Sequence, residues 1–364
     1  MRAEAIAQAA RRRADAFAEQ LALHADAIAD ALEQELHLVA WDREQLVGSV
    51  QARFAELCKR RPSEQGGVPE RVLERREQPL EAIDAVWERL LAGRRVVLQC
   101  ARGACTATRT LLGDVASSLP SGALVIEAQP FELDPSESAH GLAQLSASQR
   151  AAMIDERDPS TWPLRAVARA VPRVASVDVA VDRELAAYVL ARTCLRRAGT
   201  DPRSVRKAFV VGPVELLQRH LQRLWVGAQM GPASDPESFA GPVDPAMRDA
   251  FVVAQAAWLA EPRATRWVEG GVLERADEGG PYLAPAAFVC DWPAPPHELV
   301  GPMICVVRCT PEQARAEIEA ASREGAQVVQ VGGRPIAYAR DVRHIRGAVL
   351  VERLPPGLPE PRPV

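Results

Sequence analysis

Hydrophobic and polar positions alternate along the chain with two different periods. Over residues 3–60 apolar side chains recur every three or four positions, in "AIAQAARRRADAFAEQLALHADAIADALEQEL" and again in "DREQLVGSVQARFAELCKR". That spacing lays an apolar stripe along a helix, and the abundance of Ala, Leu and Glu favours the same state. Asp42 stands where an N-cap would open the second stretch. A polar break rich in Gly and Pro follows, "RPSEQGGVPE". "PLEAIDAVWERLLAG" then predicts a helix stopped by Gly93. The short apolar run "RRVVLQC" predicts a buried strand, "TATRTLLGDVASSL" a helix and "GALVIEA" a second strand. Alternation of helix and strand implies parallel strands joined by helical crossovers.

Residues 130–163 are polar and weakly patterned, and predict a loop with one helix. Beyond them "RVASVDVAV" predicts a strand, "RELAAYVLARTCLRRAG" a helix ending at Gly199, "KAFVVG" a strand, and "VELLQRHLQRLWVG" and "MRDAFVVAQAAWLAE" two helices. "APAAFVCDW", "MICVVRC", "AQVVQVGG" and "GAVLVERL" predict further strands, with "PEQARAEIEAASREG" a helix among them. The Pro-rich stretch "PPGLPEPRPV" predicts extended chain. No internal repeat is visible.

Composition narrows the function classes. The 364 residues suffice for about two domains, and 48% apolar with 25% charged residues is ordinary for a globular protein. A net charge of −4 supplies no basic field for nucleic acid or an anionic membrane. No apolar run reaches the ~18–20 residues of a spanning helix. The first residues lack the apolar core of a secretory signal, and Glu4 and Asp15 oppose a transit peptide, so a cytoplasmic protein is expected. The seven cysteines are Cys58, Cys100, Cys105, Cys194, Cys290, Cys305 and Cys309. Their odd number argues against a disulfide framework. Neither Cys100 with Cys105 nor Cys305 with Cys309 has the spacing of a zinc pair, so buried free thiols are expected and no metal. There is no asparagine, and all but Lys59 and Lys207 of the 44 basic residues are Arg. Mechanisms that need an Asn amide are excluded, and tunable amines are scarce.

Several segments together resemble the aldehyde dehydrogenase superfamily. "RVASVDVAVDRELAAYVLARTCLRRAGTDPRSVRKAFVV" is similar to that family's stretch around its nucleophile. "VGAQMGPASDPESFAGPVDPAMRDAF" is similar to its helix and Gly-Pro loop, here Gly241-Pro242. "VEGGVLERADEGGPYLAPAAFVCDW" resembles its Gly-Gly turn and the strand beyond. "HELVGPMICVVRCTPEQARAEIEAA" resembles its Glu-x-Phe-Gly-Pro segment and the following helix, and "IRGAVLVER" a late strand. The order and spacing carry the likeness, which is good over residues 165–353 and looser over 20–125. It implies an α/β fold: a reduced Rossmann-like parallel-sheet domain with N-terminal helices over 1–171, a catalytic-type α/β domain over 172–353, and a Pro-rich tail over 354–364.

The resemblance also locates a reaction centre, and this chain departs from it at each catalytic position. The family attacks an aldehyde with a Cys thiolate, stabilises the oxyanion with an Asn, activates water with a Glu and passes a hydride to NAD(P). The nucleophile position falls on Pro202, which has neither a nucleophile nor an N–H. The base position falls near Ala168. The oxyanion Asn does not exist, and its strand and loop are expected to be deleted, with Gln78-Pro79 running straight into the helix. The cofactor-binding Lys falls on Gln99, and the Gly-Ser loop facing the pyrophosphate has no counterpart in 124–167. Glu298, in "HELVGP", matches the family's ribose-binding Glu, a weak residual cofactor contact; its Phe neighbour is Val300 here.

The expectation is a pseudoenzyme that binds no cofactor, NAD(P) being the one that would bind if any did. It would act as a scaffold or partner subunit, for an active aldehyde dehydrogenase or another protein, with no nucleic acid or membrane partner. The family's dimer-building tail is not matched by Pro355 to Val364, so its usual oligomer is not carried over. Two alternatives remain open. One is an oxidoreductase with altered chemistry, in which Asp201, Arg203, Arg206 and Glu298 converge. The other is a ligand sensor that keeps the cleft without turnover. Cys194, inside a helical pattern, is a poor substitute nucleophile.

Overall fold

The computed structural model describes residues 3–60, 68–127, 162, 164–166, 173–179, 182–201, 204–275, 280–323, 328–331 and 349–351. The chain forms two compact units, residues 1–36 with 43–169 and residues 37–42 with 170–364.

The first unit opens with α1 (Ala3–Leu23), α2 (Ala25–Leu36) and α3 (Ala40–Lys59), the last reaching back into the 37–42 segment of the second unit. Strand β1 (Glu70–Glu74) follows, then α4 (Glu81–Leu91), β2 (Val96–Cys100), α5 (Thr106–Ser118) and β3 (Leu124–Ile126). With β4 (Leu164–Ala166) these strands make a four-stranded sheet in the order β3-β2-β1-β4, and every pairing in it is parallel. Phe17, Phe54 and Trp87 meet with ring centroids 4.9–5.2 Å apart, tying α1 and α3 to α4. Each of these rings is buried, which stabilises the unit by ~1.5–3 kcal/mol for a side chain of the size of Phe. Gly93 stops α4 at φ 82°, as its sequence position predicts.

The strand expected to be deleted is present as β1. Its pattern is obscured by Glu70 and Glu74, both buried. Charged residues are rarely buried unless paired. Here Glu70 accepts from Arg89 Nε at 2.7 Å and Arg94 Nη1 at 2.8 Å, and Glu74 faces the start of α4.

The second unit contains a seven-stranded sheet, ordered β13-β12-β5-β6-β11-β10-β7. Its strands are β5 (Arg173–Val177), β6 (Val205–Val211), β7 (Ala264–Val268), β10 (Ala286–Asp291), β11 (Met303–Cys309), β12 (Val328–Val331) and β13 (Val349–Val351). All neighbours are parallel except β7 and β10. The near-continuous burial of β10 and β11 explains why they read as plain apolar runs. A hairpin, β8 (Gly271–Arg275) with β9 (Gly280–Ala284), follows the Gly270-Gly271 turn; neither it nor β7 was legible as a strand.

Among the described residues four helices accompany the sheet: α6 (Arg183–Leu195), α7 (Glu215–Val226), α8 (Pro245–Ala260) and α9 (Pro311–Arg323). Most of α6 is buried, so it carries almost no amphipathic signal, and it packs on α7. Asp182 caps α6 by accepting from Glu184 N at 2.8 Å, and Asp244 caps α8 by accepting from Met247 N at 2.8 Å. The α6 helix ends at Leu195, not at Gly199, because Arg197, Ala198 and Gly199 all take positive φ.

Candidate functional site

Parallel pairing decides which loops meet. Strands β6 and β11 are neighbours and run the same way, so the segments leading into them arrive at one edge of the sheet. One segment begins with the turn from Arg196 to Asp201 after α6, and the other is His297–Pro302. They touch at Gly199: a Cβ there would lie 2.2 Å from Pro302 N and 2.3 Å from the Gly301 carbonyl carbon. Only glycine permits that approach with φ 78°. Gly301, at φ 60°, is confined less tightly, by the Phe251 side chain 2.9 Å from where its Cβ would be.

The turn itself is held by ionic and hydrogen-bonded pairs. The Asp42 carboxylate, brought by the start of α3, accepts from Arg197 N at 2.9 Å. Asp42 is thus no N-cap of its own helix; its side chain satisfies the left-handed turn instead. Asp201 is buried and lies 3.5 Å from Arg196 Nε and 3.2 Å from Arg197 Nη2. Thr200 Oγ1 donates to Arg197 O at 2.7 Å, and Ser204 N donates to Asp201 O at 2.9 Å. Arg206, on β6, reaches back and donates from Nη2 to Gly199 O at 2.5 Å. Among the described residues three buried donors here have no partner: Arg197 Nε, Ser204 Oγ and Arg206 Nη1.

Electrostatics follow from burial. Asp42 is pushed up to about 7 by loss of water, against the pull of Arg196 and Arg197. The Cys194 thiol, fully buried, is pushed up to about 12 despite Arg206, so it stays protonated and cannot act as a thiolate. Burial lowers Arg206 from its usual range while Cys194, Asp201 and Glu298 oppose the shift. An arginine nevertheless keeps its charge. Glu298 is exposed at its side chain, and its backbone oxygen accepts from Trp258 Nε1 at 2.9 Å. The turn is therefore a compact zwitterion of two acids and three arginines, with Glu298 near enough to be felt by Arg206.

In the first unit, Gln99 lies buried near the carboxyl end of β2, where its Nε2 donates to Glu127 at 2.8 Å. Glu74, at the carboxyl end of β1, accepts from Leu80 N at 2.7 Å, Ala82 N at 3.1 Å and Thr108 Oγ1 at 2.7 Å. A helix N-terminus is a natural seat for an anion. At α4 that seat is filled by the protein's own carboxylate. Burial pushes Glu74 up to about 7, and its three donors only partly offset this.

Of the positions singled out in the sequence, Pro202, Arg203 and Ala168 lie outside the described residues; in sequence they precede β6 and β5. Asp201 and Arg206 are brought together, with Glu298 beside them. Gln99 belongs to the first unit and is described there by itself. The thiols that meet are Cys290 and Cys305, Sγ to Sγ 3.5 Å, rather than either pair close in sequence. The hydrogen bond between the two thiols lowers Cys290 and raises Cys305. Asp42 and Glu74 carried no sequence signal of their roles, since their partners lie in other elements. Among the described residues no three His, Cys, Asp or Glu side chains form a metal-binding group, and no helix is long and apolar enough to cross a membrane.

No family model matches the chain, and no curated protein does. Solved structures do. A point mutant of the proline utilization A protein from Bradyrhizobium japonicum superposes with a TM-score of 0.74 at 19% identity, covering 97% of this chain and 39% of that one. An aldehyde dehydrogenase from Physcomitrella patens, solved with its reaction product succinate, gives 0.69 at 14%, covering 97% and 79%. An NAD-dependent benzaldehyde dehydrogenase from Corynebacterium glutamicum gives 0.69 at 16%, covering 96% and 80%. This chain thus spans about two fifths of the proline utilization A protein's length. Two α/β units, each with a parallel or mainly parallel sheet, and this breadth of superposition give the chain the fold of the aldehyde dehydrogenases.

Proposed function

We propose that this is a non-catalytic protein of aldehyde-dehydrogenase fold, a scaffold or partner subunit for an active relative or another protein. The observation that carries the reading is the ion-paired turn from Arg196 to Asp201. Where the resemblance puts a nucleophile loop, Asp201 is committed to Arg196 and Arg197, and Cys194 is buried and protonated. The cofactor side supports it as well. Gln99, at the position of the family's Lys, is buried and spent on Glu127, and an uncharged amide there offers a ribose no cation. The residues present do not fit NAD(P). Groups that act as a unit in catalysis lose nearly everything when several are missing together.

Calorimetric titration of the purified chain with NAD and NADP tests the reading. No binding heat and no aldehyde-dependent reduced-cofactor absorbance are expected; micromolar affinity for either would overturn it. Co-purification of an active aldehyde dehydrogenase would support the partner role.

A second reading, a non-catalytic sensor of a small anion, is favoured by the three buried donors at Arg197, Ser204 and Arg206 that find no partner among the described residues. A buried unsatisfied donor costs about 1–3 kcal/mol, so an acceptor supplied from outside would stabilise the turn. A rise in melting temperature with phosphate or simple carboxylates, lost in Arg206→Gln, would favour it.

A further inference from the structure

The turn after α6 and the start of β6 hold more buried donors than they use. Arg197 and Ser204 are 7% and 0% exposed, and Arg197 Nε, Ser204 Oγ and Arg206 Nη1 find no acceptor among the described residues. The three side chains belong to one cluster. Arg197 Nη2 lies 3.2 Å from Asp201, Ser204 N donates to Asp201 O at 2.9 Å, and Arg206 Nη2 donates to Gly199 O at 2.5 Å. Two guanidinium donors and a hydroxyl suit the oxygens of a carboxylate, and the guanidinium bonds would be charge-assisted.

A carboxylate bound there would join two buried acids, Asp42 and Asp201. Their situations differ. Asp201 is ion-paired to Arg196 and Arg197. Asp42 makes no ion pair among the described residues and accepts from Arg197 N. Around Asp42 the turn places Arg196, Arg197 and Asp201. Helix α6 adds Arg192, whose guanidinium lies over the Trp41 ring at 4.8 Å. Arg43, next along α3, is turned to Glu33. Arg206, on β6, feels Cys194, Asp201 and Glu298. A buried carboxylate without an ion pair is the group that takes a proton when a further negative charge arrives. Burial already holds Asp42 at about 7.

We infer that this cluster takes up a small carboxylate together with a proton, and that the proton lodges on Asp42. The inference rests on the sensor reading and adds its regulation: occupancy rises as the solution becomes more acidic. Anion binding and protonation are reciprocal, so an anion that favours neutral Asp42 is itself held more tightly once Asp42 is neutral. Below about pH 7 the empty cluster already carries the proton, and affinity is level. Above it the proton must be taken from solution, and affinity falls by up to about tenfold per pH unit.

Sodium acetate is the probe, because its carboxyl stays ionised from about pH 6 to about pH 8.5. Its apparent dissociation constant is read from the rise in melting temperature of the full chain, at constant sodium with chloride as the balance. The constant should be at least about fivefold larger at about pH 8.5 than at about pH 6. Asp42→Asn should bind acetate alike at both. Glu74→Gln, which removes the other carboxyl that burial holds at about 7, should keep the dependence. Circular dichroism establishes that the variants fold. If Asp42→Asn does not, proton uptake by the unaltered chain decides. Acetate added at about pH 8 in weak buffer should draw between about half and one proton per chain, after subtraction of an acetate blank. No rise in melting temperature at either pH overturns the sensor reading and this inference together. Equal affinity at both pH values, a dependence that survives Asp42→Asn, or binding without proton uptake overturns this inference and leaves the sensor reading standing.

Discussion

Gly199 is fixed twice over, by its φ of 78° and by the Pro302 and Gly301 backbone within 2.3 Å of where a Cβ would be. Gly122 offers the contrast: φ is 76°, but nothing lies within 4 Å. Placing Ala at a left-handed site costs ~1–2 kcal/mol by itself. Gly122→Ala should show about that loss in urea denaturation. Gly199→Ala must also push apart two backbones, and should lose more than ~3 kcal/mol or fail to fold. Equal losses at the two sites would mean that the contact with Gly301–Pro302 is not made in solution. Glu74 permits a second prediction at this scale. Burial holds its carboxyl at about 7 when folded, against the ordinary 4.5 of a solvated glutamate. Between these pH values the folded chain holds a proton that the unfolded chain has lost. Stability contributed by this group therefore falls as pH rises from 4.5 to 7, and is flat on either side. The slope is at most ~1.4 kcal/mol per pH unit. Glu74→Gln should remove it, so the difference between the two proteins' stability–pH curves reports this one carboxyl. Parallel curves would contradict the assignment.

At the scale of elements, periodicity revealed those whose burial is one-sided or complete, and missed those whose burial is ionic. Helices α1, α3 and α4 and strands β2, β6, β10 and β11 were legible because water contact alone sorts their residues. Strand β1 was not, because its ends are acids neutralised by Arg89, Arg94 and the start of α4, partners that lie in other elements. The helix read as running to Gly199 stops at Leu195 because Asp42, far away in sequence, rewards a left-handed turn at Arg197. Register also limits chemistry that proximity alone suggests. Cys290 and Cys305 have their sulfurs 3.5 Å apart, but Cys305 stands opposite Phe288 and Cys290 opposite Val307. They are diagonal neighbours, with Cα atoms ~7–8 Å apart. A disulfide needs roughly 4.4–6.8 Å. Mild oxidation should therefore leave both as thiols, and peptide mapping without reduction should recover no Cys290–Cys305 cross-link. Finding one would require β10 and β11 to slide or buckle.

At the scale of the molecule, the order of elements carried the fold while the site depended on what the fold brings together. The segments resembling aldehyde dehydrogenases follow one another at the family's spacing, and a chain of such elements has few ways to pack as parallel sheets. Function does not travel with that order. The meeting of Gly199 with Pro302, or of Asp42 with Arg197, joins residues that no local pattern relates. This separates restoring a residue from restoring a reaction. If the chain is a pseudoenzyme, Pro202→Cys combined with Gln99→Lys should still give no aldehyde-dependent cofactor reduction. The thiol would have no carboxylate base supplied at Ala168 and no Asn for the oxyanion. A single oxyanion donor is commonly worth ~10²–10³ in rate, and a base ~10²–10⁴. Binding and chemistry can be read apart in the same double variant. Cofactor binding gained without turnover would mean that Gln99 alone closed the cofactor site, leaving the non-catalytic reading intact. Turnover above the uncatalysed rate would mean that a base and an oxyanion site persist elsewhere in the chain, and the pseudoenzyme reading would have to be abandoned.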